Sequence, residues 1–157
     1  MKQKLLLFLA KFFVIFFLLS QLVELIDLSF LTNFLAKVSA SFLGLDFLAN
    51  QIFIDGAVFI VTNSCTGLIS ASILGAIIFA LKKPSMFNKF KLFLFGTLLL
   101  LVVNVFRIIF ILYFAKIGLD ANLIHELTWY LMSGIIILIW YYCMEKVYEI
   151  KNFNLLV

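Results

Sequence analysis

Apolar positions run through this chain in long, nearly unbroken stretches, with polar residues gathered mostly between them. A helix needs about 20 such residues to cross the hydrocarbon core of a bilayer. Four stretches meet or approach that length: about 5–23, 66–82, 92–115 and 123–144. Lys11 interrupts the first, and its stem can lie along apolar surface while the ammonium reaches the nearer interface. The second, Gly67–Leu81, is somewhat short and is extended by Cys65 and Thr66 at its start. The third carries Arg107, and the fourth has His125 near its beginning.

Residues 28–62 have another pattern. Leu31, Phe34, Leu35, Val38, Phe42 and Leu45 follow a three-and-four spacing, with Thr32, Asn33, Lys37, Ser39 and Ser41 filling much of the rest. That alternation predicts an amphipathic helix lying on the membrane. The run QIFIDGAVFIV follows, two short β-branched and aromatic segments around Asp55-Gly56, which predicts a β-hairpin leading into Cys65. The expected fold class is an all-α polytopic membrane protein. It is a single integral membrane domain over residues 1–157, with four transmembrane helices, an amphipathic helix and a short hairpin.

Composition agrees. Hydrophobic residues make up 66% of the chain and 20 of 157 residues are Phe, more apolar surface than a soluble domain of this length could bury. The net charge of +4 could suggest an anionic partner such as nucleic acid, but the distribution of lysines accounts for it as topology. Lys2 and Lys4 precede the first span, Lys82, Lys83, Lys89 and Lys91 lie between the second and third, and Lys146 and Lys151 follow the fourth. Four crossings place all of these on one side, which the positive-inside rule makes the cytoplasm. Both termini are then cytoplasmic and Cys65 faces outward. The opening MKQKLLLFLAKFFVIFFLLS has the form of a secretory signal but no convincing small-x-small cleavage site follows it, so it reads as an uncleaved anchor.

This topology brings a thiol, a guanidinium and an imidazole to one depth from three different helices. Cys65 opens the second span, Arg107 lies roughly 10 Å inside the outer end of the third, and His125 is just inside the outer end of the fourth. Cysteine in a membrane helix commonly serves as a small hydrophobe. A position at a helix N-terminus favours the reactive thiolate instead, and Gly67 would let a substrate backbone come close. Arginine inside a span costs about 2.5–3.5 kcal/mol on insertion scales and usually faces a polar partner or cavity. Asn104, three residues earlier, shares its face and could orient the guanidinium. The chemistry these groups suit is acyl transfer. Cys65 attacks a backbone carbonyl, His125 carries the thiol proton to the leaving amine, and Arg107 holds the oxyanion. Cys65 and Cys143 match no metal spacing, and no cofactor or metal is expected.

SCTGLI, then VNVFRII, then HELTWYLMSG resemble the core of the exosortase/archaeosortase family of membrane transpeptidases, over roughly residues 50–144. The resemblance places Cys65 with Gly67, Asn104 with Arg107, and His125 at the family's marked positions, with Thr66 beside the cysteine. It implies substrates that are exported proteins with a C-terminal motif, a membrane helix and a basic tail. Cleavage near the motif would be followed by transfer of the new C-terminus to a cell-surface lipid or glycan. It also implies residence in the cell membrane of an archaeon or bacterium, among membrane lipids and without nucleic acid. The helix and hairpin before Cys65 are the expected binders of the motif. Hydrolysis, with water as acceptor, is not separated from transfer by the sequence. A small non-enzymatic subunit, such as a transporter component or assembly factor with structural Arg107 and His125, is the alternative from another class.

Overall fold

In the computed structural model, residues 2–147 are described. Lys151, and the side chains of Lys2 and Lys146, which the topology assigned to the cytoplasm, lie outside the described residues. The chain is mostly helical. In order it forms α1 (Lys2–Leu25), α2 (Ser29–Leu43), β1 (Asp46–Leu48), β2 (Gln51–Ile54), β3 (Ala57–Ile60), a single 3₁₀ turn (Asn63–Thr66), α3 (Leu68–Ala80), α4 (Met86–Lys116) and α5 (Ala121–Tyr142), which runs on into a π-type turn (Cys143–Val147).

Three helices among the described residues are long and apolar enough to cross a membrane: Gln3–Leu25, Met86–Lys116 and Ala121–Glu145. The span expected at 66–82 departs from that expectation. It is the 13-residue helix α3, whose length of about 20 Å falls short of a hydrocarbon core about 30 Å thick. Gly67, at φ +84, breaks the helix at its N-terminal side. A helix this short is tolerated because protein surrounds it. α3 packs against α1, α4 and α5, and Ser70, Ala71, Ser72, Leu74, Gly75, Ala76, Ile78 and Ala80 are all buried. Glycines make the approach close: a Cβ at Gly75 would lie 2.9 Å from Phe93 and 3.1 Å from Leu19, and one at Gly96 would fall within the radius of Leu74. Small residues at such seams let helix backbones meet where lipid offers no hydrophobic drive.

The other spans are longer than expected. α4 starts six residues before position 92, and in its first turn Lys89 turns inward and donates from Nζ to the Leu81 carbonyl, capping the C-terminal end of α3. α5 starts at Ala121, with the Asp120 carboxylate accepting from the Asn122 N–H at 2.9 Å. That bond satisfies one of the donors a helix start leaves open.

α2 is a helix, as the spacing predicts, and its two faces differ in residue size. Its buried residues are Thr32, Leu35, Ala36, Ser39 and Ala40, whereas Phe30 and Phe42 are 85% and 72% exposed. The small residues face the protein and the large aromatics face outward. Gly44, at φ +65, ends the helix, and Lys116 Nζ donates to the Leu43 carbonyl at 3.2 Å, tying that end to α4.

The sheet has three antiparallel strands in the order β1-β2-β3, one more than a hairpin. Asp55 and Gly56 join β2 to β3 with φ values of +48 and +83, the backbone that a two-residue primed turn requires. Ile52 and Ile54 point into a buried cluster with Leu35, Ala36, Ala40, Val61, Ile108 and Leu112, against which Cys65 packs. This cluster fastens α2 and the sheet to α4 and fixes where the cysteine turn begins.

Candidate functional site

Val61 closes the sheet, donating its N–H to the Asn50 carbonyl at 2.8 Å and accepting from Asn50 Nδ2 at 3.1 Å. The chain passes through extended Thr62 into the 3₁₀ turn, in which Cys65 is the third residue. Thr66, fully buried, donates from Oγ1 to the Asn63 carbonyl at 2.6 Å and accepts the Leu68 N–H at 3.4 Å, which fixes the turn from inside. The Cys65 thiol is half-buried, and its sulfur lies 3.5 Å from the exposed Thr62 hydroxyl, itself 2.9 Å from Ser64 Oγ. Cys65 therefore does not open α3, as the sequence suggested. The helix begins three residues later, and a helix-end dipole acts mainly within its own first turn.

Gly67 also has a use within the fold. A Cβ there would lie 3.0 Å from Asn104 Cβ and 3.1 Å from Asn104 Cγ. The space a side chain would take at this glycine belongs to Asn104. Seated there, Asn104 donates from Nδ2 to the Cys65 carbonyl and accepts on Oδ1 from Arg107 Nη1 at 3.4 Å. Asn104 is 0% exposed, so this amide ties the cysteine turn to α4 where water does not compete.

Arg107 is only 7% exposed. Its Nε donates to Thr128 Oγ1 at 3.0 Å and its Nη2 lies 3.3 Å from His125 Nε2. Thr128 in turn donates to the His125 carbonyl at 2.8 Å. The guanidinium carbon stands 4.9 Å from the centre of the Trp129 ring, a cation–π contact of about 0.5–2 kcal/mol. The hydrogen-bond partners of this buried cation are neutral. A guanidinium has five N–H donors, and three are assigned here.

His125 is held by two donors. Trp129 Nε1 donates to His125 Nε2 at 2.9 Å, and the same nitrogen faces Arg107 Nη2. Indole and guanidinium N–H groups only donate, so Nε2 must present its lone pair to both, and the ring is neutral with its proton on Nδ1. The structure thus gathers Cys65, Asn104, Arg107 and His125 into one hydrogen-bonded chain. It enters the cysteine through the backbone carbonyl, and the thiol contacts Thr62 instead.

Thr128, Trp129 and Thr62 were missed from the sequence. The first two stand three and four residues after His125 in HELTW, the spacing that shares a helix face. Below Arg107 and Thr128, a cleft of about 170 Å³ runs between α4 and α5, flanked by Phe106, Phe110, Leu131 and Ile135. Phe106 and Leu131 are exposed on the outer surface of the bundle, so the cleft meets the lipid-facing side.

The chain was compared with protein families, curated proteins and solved structures. No curated protein and no solved structure matches it. One family does, described as Transmembrane exosortase (Exosortase_EpsH), over residues 2–142. This multi-pass membrane protein, with its buried arginine reaching toward a cysteine turn, belongs to the transmembrane exosortase family.

Proposed function

We propose that this exosortase is a membrane cysteine transpeptidase or protease that cleaves the C-terminal sorting signal of exported proteins. The Cys65 sulfur attacks the carbonyl carbon of the scissile peptide, and the oxygen becomes an oxyanion beside Arg107. Collapse breaks the C–N bond, leaves a thioester on Cys65 and releases the downstream membrane helix and basic tail as an amine carrying the thiol's proton. An acceptor hydroxyl or amine on a cell-surface lipid or glycan then attacks the thioester, frees the thiol and takes the new C-terminus. With both ends of the chain in the cytoplasm, as the lysines favour, the reaction takes place at the outer face.

The observation that carries this reading is the buried guanidinium with neutral partners and unassigned donors, tied through Asn104 to the turn that holds a half-exposed thiol. A desolvated cation aimed at developing negative charge is the largest usual contribution to acyl transfer. The direct test is co-expression with an exported substrate followed by mass spectrometry of the Cys65 peptide. A hydroxylamine-sensitive substrate adduct on Cys65 is expected. Substrate processing with no such adduct, and undiminished in a Cys65→Ala chain, would point to the non-enzymatic alternative.

The hydrogen bonds around His125 favour a positioning role over the proton carriage its place in the sequence suggests, because Nε2 already serves two donors. His125→Gln retains an acceptor for Arg107, whereas His125→Ala does not. Glutamine is expected to keep activity at least about ten-fold above alanine, a difference of about 1.4 kcal/mol, in an assay of thioester formation. Equal losses in both variants would restore the proton-carrying role.

β3 supplies a binding edge for the extended motif. Among the described residues it pairs only with β2, its residues Ala57–Ile60 carry no charge or proline, and it runs directly into the cysteine turn. Uncovered apolar edges of this kind accept an added strand. Because Val61 bonds inward to Asn50, the alternation of the ladder turns the Ile60 N–H outward. Ile60→Pro removes that donor without touching the β2 pairing. A raised KM with little change in kcat is expected, and an unchanged KM would exclude strand addition here.

A further inference from the structure

The opposite end of the bundle carries a second built feature that the proposed chemistry does not use. Lys4, Leu7, Phe8 and Lys11 fall on one stripe of α1, spaced by three, four and seven residues, which a helix brings to a single face. That stripe meets Ala80 at the end of α3 and Lys82 just beyond it, and together they line a cleft of about 350 Å³. Lys89 of α4 stands beside this end of α3; it is 5% exposed and donates to the Leu81 carbonyl.

Three cations, Lys4 and Lys11 from α1 and Lys82 from beyond α3, thus converge on a cleft whose remaining walls are Leu7, Phe8 and Ala80. Like charges so placed are held apart from their preferred spacing unless an anion sits among them. The lining suits an amphiphile, with ammonium groups for an acidic head and apolar side chains continuing down α1 for a chain. Phe8 packs onto the main core cluster, so this wall is fixed by the bundle.

We propose that this cleft is a binding site for an anionic phospholipid, with the phosphodiester held by Lys4, Lys11 and Lys82 and an acyl chain laid along Leu7 and Phe8. A zwitterionic headgroup brings its own cation into the cluster and is disfavoured. Each lysine near an acidic lipid headgroup contributes about a five-fold preference. Basic pockets between transmembrane helices are a recurrent solution for holding such lipids. Nothing in this site depends on the role assigned to Cys65.

The test is native mass spectrometry of the detergent-purified full chain, offered phosphatidylglycerol and phosphatidylcholine with matched acyl chains. Phosphatidylglycerol adducts are expected to predominate, and the preference to fall roughly 25-fold in a Lys11→Gln/Lys82→Gln chain, five-fold for each lysine. A Lys37→Gln/Lys91→Gln chain removes as much charge from exposed positions outside the cleft and should keep the preference. Should the first double variant insert poorly, Lys82→Gln alone, on an exposed turn, is expected to lower the preference about five-fold. Equal retention of both lipids, or equal loss in both double variants, would overturn the site. Complete displacement of phosphatidylglycerol by excess inorganic phosphate would overturn the lipid assignment in favour of a free anion.

Discussion

Cys65→Ala is expected to reduce thioester formation and substrate cleavage to background while leaving the protein inserted and folded. Removing the nucleophile of a covalent mechanism costs on the order of a million-fold in kcat, because no other group makes the bond. The fold should survive. The turn is fixed by the buried Thr66 hydroxyl and by Asn104 bonding to the Cys65 carbonyl, and alanine retains that carbonyl. What disappears is the contact between the sulfur and the Thr62 hydroxyl and the sulfur's packing at the edge of the Leu35–Ile108 cluster. Cys65→Ser should be nearly as inactive, since an alcohol is much harder to ionise than a thiol. The measurement is single-turnover cleavage in reconstituted vesicles beside a thermal melt. Substantial cleavage by the alanine variant would exclude the covalent route.

Arg107→Lys is expected to lose roughly 10²–10³-fold in the rate of thioester formation, the usual cost of one misplaced oxyanion donor. The charge is conserved but the geometry is not. Arg107 addresses Thr128, Asn104 and His125 from three different nitrogens of one plane, and a single ammonium cannot reproduce that fork. Thr128 Oγ1 and Asn104 Oδ1 each lose a donor in a buried setting, which costs about 1–3 kcal/mol per group left unsatisfied. The variant should therefore also melt at a lower temperature than the Cys65→Ala chain. A lysine variant with full activity would show that charge alone suffices and that no directional contact is made.

The parts of this site that were legible in the sequence are those that violate the local pattern. Arg107 and His125 stand out because ionisable groups are expensive inside apolar spans, and Asn104 because it shares a helix face with Arg107. Asp55-Gly56 was legible as a turn because few other pairs tolerate two positive φ values. What escaped notice obeys ordinary rules. Trp129 lies near the start of its helix, where tryptophan has a common interfacial use, and nothing local marks it as a donor to His125. The outward-facing aromatics of α2 follow the same logic. In water large apolar residues seek the protein interior, whereas in lipid they can face the solvent, and the small residues make the protein contact. The length of α3 was misjudged because an apolar run does not reveal where a left-handed glycine will break it. Lys89 was assigned to a loop, since a lysine gives no sign in sequence that a carbonyl eight residues earlier awaits it.

Asn104 has a mechanical consequence. Its amide grips the Cys65 carbonyl while its stem fills the notch at Gly67, so α4 and the cysteine turn are keyed together in both polarity and shape. A tug on one is passed to the other, and the spacing between sulfur and guanidinium is set by a single rigid part instead of by the tightness of the whole bundle. A membrane protein in a fluid sheet of lipid can keep these two groups in register this way even as the surrounding helices sway.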